Sequence, residues 1–484
     1  MNDWAKILAV QQTGRGPHGV VAASAPLAAA LGAESMRAGG NAYDGVLTAA
    51  LAETVLLPPK CGLAGDLVAL RLRPGAAAPE TLLAIGGAPL RLSETLEDGL
   101  PETGPLSVGV PAAPAGYAEL ARYARADRGA LAAPARRLAV EGFCWSKICT
   151  LLTEEARDLL LTHNPGGTSY LPGGAPIAPG AVKTLPGLDL VLEEWVERGR
   201  EFLSGPVGDA ILRRVREAGG VLDQSDLSQS VTNWTDSERL ELASGETVWA
   251  TAAPTHGPSL LEVVSGLARA SSIAEVWDAV EEGVASRRER LGDPRPAGTS
   301  IVSAADADGT VVVLVHSNSY PRYGSGLVID EYDLILSNRA GRGFTPIPGH
   351  PNYPSPGKRP ATTLHAWAYS SSSDRPQLMG GTPGGENQMP WNAQLIHQIL
   401  QGERQIGHLV TAPRWEWLVK SGGARVEEGF PPEELAELRD RTDVFPVAAL
   451  GLRCAQQVIR VPSDDGSAIE AAVDPRTGGT VVVV

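Results

Sequence analysis

Residues 297–318 read AGTSIVSAADADGTVVVLVHSN, and this stretch decides the fold. Two runs rich in β-branched residues flank the turn-forming Asp306-Ala307-Asp308-Gly309, which predicts a strand, a tight turn and a second strand. Upstream, a helical pattern over Ser259–Arg290 stops at Leu291-Gly292-Asp293-Pro294, where Gly and Pro punctuate the chain. Thr299 therefore stands where the periodicity changes from helix to strand. A Thr at the head of a strand gains chemical value if the chain is cut before it. Its free α-amine, with a pKa of about 8, then accepts the hydroxyl proton, so that one residue is both nucleophile and base. Gly298 permits the strained backbone that brings the hydroxyl onto the preceding carbonyl. Without such a cut, Thr299 is an ordinary strand-initiating residue.

Outward from this hairpin, the 484 residues are enough for two or three domains or for one large intertwined one. A net charge of −15 argues against a broad nucleic-acid or anionic-membrane surface, both of which need clustered Lys and Arg, and leaves room for a local basic pocket. No segment offers ~18 uninterrupted apolar residues, and the opening residues contain Asp3, Lys6 and Arg15 without a signal-peptide core. A soluble, cytoplasmic protein is expected. Cys61, Cys144, Cys149 and Cys454 form no C-x-x-C pair and no cluster with His, so reduced structural thiols are expected, with no metal and no cofactor.

Along the chain, residues 20–57 read as two helices rich in small residues, split by Gly39-Gly40. Strands are expected from Gly65 to Leu92 and helices over 114–140. The Gly- and Pro-dense stretch from Asn164 to Gly187 reads as a long ordered loop, with amphipathic helical patterns in 188–218 and after Asp223. At the C-terminal end, Asp465-Gly466 and Gly478-Gly479 mark turns between strands. Strands thus dominate the last third and helices the first two thirds, a mixed α+β composition. There is no G-x-S-x-G elbow, no G-x-G-x-x-G after a strand and no Walker loop. In PSPGKRP, Gly357-Lys358 is followed by Arg359 and Pro360 where a phosphate loop needs Ser or Thr and a helix.

Several ordered motifs give the chain a resemblance to the γ-glutamyltransferase (γ-glutamyltranspeptidase) family of N-terminal-nucleophile hydrolases along almost its whole length. They are GVVAASAPLAAALGAESMRAGGNAYDGVLTAALAETV, VGVPAAPAGYAELARYA, FLSGPVGDAILRRVREAGGVLDQSDL, the hairpin itself, NRAGRGFTPIPGHPNYPSPGKRPATTL, GTPGGENQMPWNAQ, APRW and DPRTGG. The resemblance implies an α+β fold, a four-layer αββα sandwich. It also implies a precursor cut between Gly298 and Thr299 into a large portion, 1–298, and a small portion, 299–484, that remain together as a heterodimer forming one intertwined domain. Thr299 falls on the family's nucleophile. The backbone N–H groups of Gly384 and Gly385 fall on its oxyanion hole, the alternative being a plain Gly-Gly turn. Ser317, or its neighbour Asn318, falls where a hydroxyl orients the nucleophile; a strand-end cap is the other role for it. Thr362 and Thr363 fall on the paired hydroxyl residues that hold a substrate α-carboxylate. Asn338 matches a polar pocket residue or serves loop hydrogen bonding.

The departures bear on substrate. Ser300 and Ile301 stand where the family has Thr and His. Ile85, Gly86 and Gly87 stand where it offers an Arg to the glutamyl carboxylate. The segment Arg339-Ala340-Gly341-Arg342 replaces an expected acid with a basic neighbourhood. Only Arg295, Pro296 and Ala297 separate LGDP from Gly298, where relatives have a longer helical region. Glutathione salvage is therefore not expected. The expected activity is hydrolysis or acyl transfer on a small-molecule γ-glutamyl-like or related dicarboxylic substrate in a specialised biosynthetic role. The alternatives are hydrolytic carbon–carbon cleavage of a ketoacid-like side chain, as in alkylproline-type antibiotic biosynthesis, and an unprocessed, noncatalytic binding protein. Arg339 and Arg342 suit extra carboxylates under the carbon–carbon reading, and a surface role is open for either.

Overall fold

Two seven-stranded sheets face each other, and the hairpin lies at the middle of one of them. The computed structural model describes residues 13–96, 99–229, 231–292, 298–372, 374–418, 422–462 and 468–484. Asp3, Lys6, the Arg295-Pro296-Ala297 segment and the Asp465-Gly466 turn lie outside the described residues. In spatial order the first sheet runs Thr480–Val483, Gly19–Ala23, Gly298–Asp306, Val311–Ser319, Asp66–Leu72, Glu80–Ala84 and Thr232–Asp236. The second runs Thr13–Gly16, Ile469–Val473, Gln457–Arg460, Leu378–Gly381, Ala366–Ser370, Thr247–Ala250 and Glu238–Glu241. All of their pairings are antiparallel.

The period of two sorts side chains between layers. On the strand Gly298–Asp306, Ile301 and Ala305 join Val313, Val315, Ala366, Ala368 and Met379 in the core between the sheets. Val302 and Ala304 point the other way, into the core under the helices Pro26–Arg37, Ala42–Leu56, Ala113–Ala121 and Pro186–Arg198. The second sheet is covered on its outer side by Gly257–Leu267, Ile273–Leu291, Gln388–Leu400 and Ile406–Thr411, packed on Trp367, Tyr369 and Val458. The result is the expected four-layer αββα sandwich.

Small residues make the first helical layer dense. Every residue of Ala42–Leu56 is buried, and Asn41 caps it in a reciprocal box with Asp44. A Cβ on Gly32 would lie 2.5 Å from the Gly45 carbonyl oxygen, so these helices meet backbone to backbone. The hairpin turn is tied into the same layer. The Asp306 carboxylate accepts from the N–H of Thr310 at 3.0 Å and from that of Ala42 at 2.9 Å. Residues on both sides of Gly298 share both sheets: Gly298–Asp306 pairs with Gly19–Ala23, and Ala366–Ser370 pairs with Thr247–Ala250.

Four expectations are corrected. Gly19–Ala23 is a strand, not the start of a helix, because it is clasped between Gly298–Asp306 and Thr480–Val483. The single helix over Ser259–Arg290 is two, Gly257–Leu267 and Ile273–Leu291, the second started by Ser272, whose hydroxyl accepts from the Glu275 N–H. After Asp223 only the short helix Gln224–Leu227 forms before three strands. Strands and helices are interleaved and not divided between thirds, since each sheet draws strands from the whole chain.

Candidate active site

The strand Gly298–Asp306 begins at an irregularity. Gly298 pairs with Ser319 and Ser300 with His316, so Ser317 and Asn318 stand together against Thr299 in a bulge of the partner strand. Thr299 is buried, and its hydroxyl has no hydrogen-bond partner among the described residues. A buried polar atom without a partner is costly, and this one belongs to the residue that follows the Gly298 carbonyl. Ser317 Oγ donates to that carbonyl, the C=O of Gly298, and accepts from the Ser319 N–H at 2.8 Å. Ser317 thus grips the Gly298–Thr299 peptide itself. Asn318 donates to the Pro58 carbonyl at 3.4 Å, and its Oδ1 has no partner among the described residues. A Cβ on Gly298 would come within 2.6 Å of the Ser319 carbonyl oxygen, which requires Gly here.

On the opposite face of the same strand lies a buried polar network that local sequence patterns do not reveal. Glu53 accepts from Ser300 Oγ at 2.6 Å, from the Ala25 N–H at 2.9 Å and from His316 Nε2 at 3.0 Å. Since the carboxylate only accepts, His316 Nε2 carries the hydrogen, and Nδ1 accepts from Tyr117 O–H at 2.7 Å. Burial holds the Tyr117 phenol well above its ordinary pKa, so it stays a donor. Cys61, Glu53 and His316 bring one possible ligand atom each within 4.8 Å of one another. The Glu53 oxygens are committed to other donors and burial keeps the Cys61 thiol protonated, so the group fits a brace for the strand better than a metal site.

The basic segment takes an unexpected form. Arg339 is buried and donates from Nε to Asp66 Oδ2 at 2.5 Å, while its Nη2 has no partner among the described residues. Asp66 pairs in register with Ser317, which puts it two strands from Thr299. At about 4.8 Å per strand, this places the pair roughly 10 Å across the sheet from Thr299. Burial raises the Asp66 pKa against the opposing pull of Arg339. The acid missing from 339–342 therefore returns from another strand, and the expected uncompensated basic neighbourhood is corrected to an ion pair. Asp66 Oδ1 also accepts from the Gly86 N–H at 3.3 Å. A Cβ on Gly86 would lie 1.6 Å from the Val110 carbonyl oxygen, so no Arg fits at that position in this backbone. Arg342 pairs with Glu102 at 2.7 Å and covers the Tyr320 ring. Asn338 staples two loops, donating to the carbonyls of Glu102 at 2.6 Å and Tyr320 at 2.7 Å.

The Gly-Gly loop enters from the second sheet. A Cβ on Gly381 would lie 3.1 Å from the side chain of Ile301, two residues beyond Thr299, and the chain then runs through Thr382-Pro383 to Gly384 and Gly385. Both glycines have positive φ, and a Cβ on Gly384 would strike the Trp391 ring at 2.3 Å. With its nitrogen donating to the carbonyls of Thr363 at 2.9 Å and Thr382 at 3.2 Å, the Gln388 amide presents its oxygen to the Gly385 N–H at 3.2 Å. This amide joins the loop to Thr363. Thr362 is held through its N–H to the Pro254 carbonyl at 3.0 Å, and both threonines are buried. Behind the loop, Glu386 accepts from Arg287 at 2.5 Å, and Arg287 lies 3.3 Å from His256 Nε2. Burial first, then Arg287, His365 and Arg339, push the His256 pKa well down. The structure thus brings Thr299, Ser317, Asn318 and Arg339 to one end of the first sheet and ties Thr362 and Thr363 to the Gly384-Gly385 loop. It gives Asn338 and Arg342 partners in the surrounding loops.

The family model described as Gamma-glutamyltranspeptidase matches residues 28–297 and 271–484. The chain is 25% identical to the oxamate amidohydrolase proenzyme of Klebsiella pneumoniae subsp. pneumoniae, over 96% of this chain and 98% of that protein. It is 25% identical to the acylase ACY 1 proenzyme of a Pseudomonas species, over 86% and 85%. Among solved structures, a cephalosporin acylase from Bacillus halodurans superposes with a TM-score of 0.85 at 26% identity, over 98% of this chain and 97% of that one.

Proposed function

The chain belongs to the γ-glutamyltranspeptidase family, and on that premise we propose that it is a self-cleaving hydrolase of amides whose acyl group carries a carboxylate. The observation that carries this reading is the buried Thr299 hydroxyl, without a partner, beside a Gly298 carbonyl gripped by Ser317. In maturation, Thr299 Oγ attacks the Gly298 carbonyl carbon. The C–N bond breaks, the hydroxyl proton passes to the departing nitrogen, and an ester forms. Water then adds to the ester carbon and returns a proton to Thr299 Oγ, leaving a carboxylate on Gly298 and a free amine on Thr299. Residues 1–298 and 299–484 stay together as a heterodimer, since each contributes strands to both sheets.

In turnover the Thr299 amine takes the hydroxyl proton, Oγ attacks the substrate amide, and water resolves the acyl-enzyme. Gly384 and Gly385 supply the oxyanion donors, with Gln388 yielding the Gly385 N–H to the oxyanion. The Arg339 Nη2 donor receives the acyl carboxylate, and Asp66 holds the guanidinium in place. Thr362 and Thr363 contribute hydroxyls to the same carboxylate. The amidohydrolase and acylase relatives favour amide cleavage over carbon–carbon hydrolysis. A clamp assembled from Arg339 and Asp66 supports a specialised biosynthetic substrate over glutathione.

The test is product analysis with oxamate, N-succinyl and N-glutaryl amides, and their uncharged acyl counterparts. Amine or ammonia release confined to the carboxylated donors, and lost in Arg339→Met, is expected. Equal turnover of charged and uncharged donors would remove the carboxylate assignment. Release of a small acid with no new amine from a ketoacid donor would move the reading to carbon–carbon hydrolysis.

A further inference from the structure

The Gly384-Gly385 loop is held at its own peptide bonds, and one of the holding groups is a side chain. The N–H of Gly384 shares a peptide plane with the carbonyl of Pro383, and the N–H of Gly385 shares one with the carbonyl of Gly384. Both peptides are trans, so in each the two groups point in opposite directions, and whatever fixes the carbonyl fixes the aim of the N–H. The Gly384 carbonyl accepts from the Asn387 N–H at 3.2 Å. The Pro383 carbonyl accepts from the buried Thr382 hydroxyl at 2.8 Å. That hydroxyl can be removed by substitution without touching either glycine.

The hydroxyl is in turn given a direction. Thr382 Oγ1 accepts from the Ala455 N–H at 3.3 Å and stands 3.7 Å from Cys454 Sγ. A carbonyl oxygen is a better acceptor than a thiol sulfur, so the single Thr382 proton goes to Pro383 and the Cys454 thiol donates to Thr382. Burial pushes the Cys454 thiol up to about 11, so it keeps its proton. Behind it, Arg414 Nη1 donates to Cys454 Sγ at 3.2 Å and lies 3.8 Å from Asp474 Oδ2. Arg414 and Asp474 belong to the APRW and DPRTGG motifs, which the reaction just described leaves without a task. The hydrogen bonds run in one sense, from guanidinium to thiol to hydroxyl to carbonyl, and each polarises the next. We propose that Thr382 is a positioning residue whose hydroxyl aims and polarises the Gly384 N–H as an oxyanion donor. This rests on the assignment of Gly384 and Gly385 to the oxyanion site.

The experiment compares the full-length wild type with Thr382→Val, which keeps the shape and removes the hydroxyl, and Thr382→Ser, which keeps the hydroxyl. With the carboxylated amides above as substrates, Thr382→Val lowers kcat about tenfold and leaves KM in place, and Thr382→Ser recovers kcat. That split is expected because the donor meets charge that develops only in the transition state. Unchanged kcat in Thr382→Val, or a loss of kcat shared by Thr382→Ser, overturns the proposal. The second readout needs no turnover. Labelling with ¹³C-carbonyl proline and ¹⁵N-glycine restricts an NMR spectrum to Pro–Gly peptides, and the Gly384 signal is the one that Gly384→Ala removes. This signal moves in Thr382→Val and keeps its place in Thr382→Ser; a signal unmoved in Thr382→Val overturns the proposal. If the wild type hydrolyses none of the amides, the hydrolase reading fails by itself, and the signal decides whether Thr382 sets the Gly384 N–H. Should Thr382→Val fail to fold, Thr382→Ala takes its place in both readouts.

Discussion

Ser317 Oγ donates to the carbonyl of Gly298 across a bulge that sets two residues of one strand against Thr299. Under the proposed maturation, this contact polarises the Gly298–Thr299 bond. Removing the donor in Ser317→Ala should slow maturation by roughly 10²–10³-fold, the cost of losing one oxyanion donor, while Ser317→Thr keeps the hydroxyl and cleaves. Time courses of the uncut chain after rapid purification measure both, and wild-type cleavage in Ser317→Ala would assign Ser317 to capping the strand.

The ion pair of Arg339 with Asp66 is buried on both sides. In Asp66→Asn the guanidinium stays buried without its counter-charge, and stability should fall by about 3–5 kcal/mol. The double variant Asp66→Asn with Arg339→Met should recover most of that loss while abolishing selection for carboxylated donors. Chemical unfolding in an uncut Thr299→Ala background keeps the chain whole for the comparison. An Asp66→Asn protein as stable as its parent would contradict the pairing.

Gly384 carries a φ of 143°, and a Cβ there meets the Trp391 ring. Gly384→Ala should displace the loop and lower kcat by about 10²-fold or more. Gly166→Ala, where a Cβ meets nothing within 4 Å, should behave as wild type. Steady-state kinetics on a carboxylated amide compare the two.

His365 accepts from Asn392 at Nε2 and donates from Nδ1 to the Thr363 carbonyl, and burial holds its pKa down to about 4. His256 is pushed down as well. Between the folded and unfolded pKa values the unfolded chain binds more protons, so stability rises with pH there. The contribution is complete above about pH 6.5 and is lost as the pH falls toward 4. For His365 the full loss amounts to about 3 kcal/mol. Unfolding midpoints measured across this range should steepen toward acid in the uncut background and flatten in His365→Gln; identical slopes would contradict the assignment.

The sequence made some of this legible and hid the rest for physical reasons. The hairpin at 297–318 announces itself because Asp-Gly turn chemistry and β-branched runs act over neighbouring residues. Ser317 and the Gly384-Gly385 loop came from the family resemblance, which also anticipated the sandwich. Gly19–Ala23 reads as helix because the Ala-rich run that follows it masks a five-residue strand, whose state is set by two strands far away in sequence. Asp66 and Arg339 are 273 positions apart, and Glu53 and Ser300 are 247 apart, so neither partnership leaves a mark in any local window. The exclusion of a side chain at Gly86 depends on a carbonyl from another loop.

Intact mass spectrometry of the purified protein under denaturing conditions, beside Thr299→Ala, tests the central claim most directly. The account predicts two fragments that meet between Gly298 and Thr299 in the wild type and a single full-length chain in the variant. A single uncut chain in both would contradict it and leave a noncatalytic binding protein with the fold of a hydrolase.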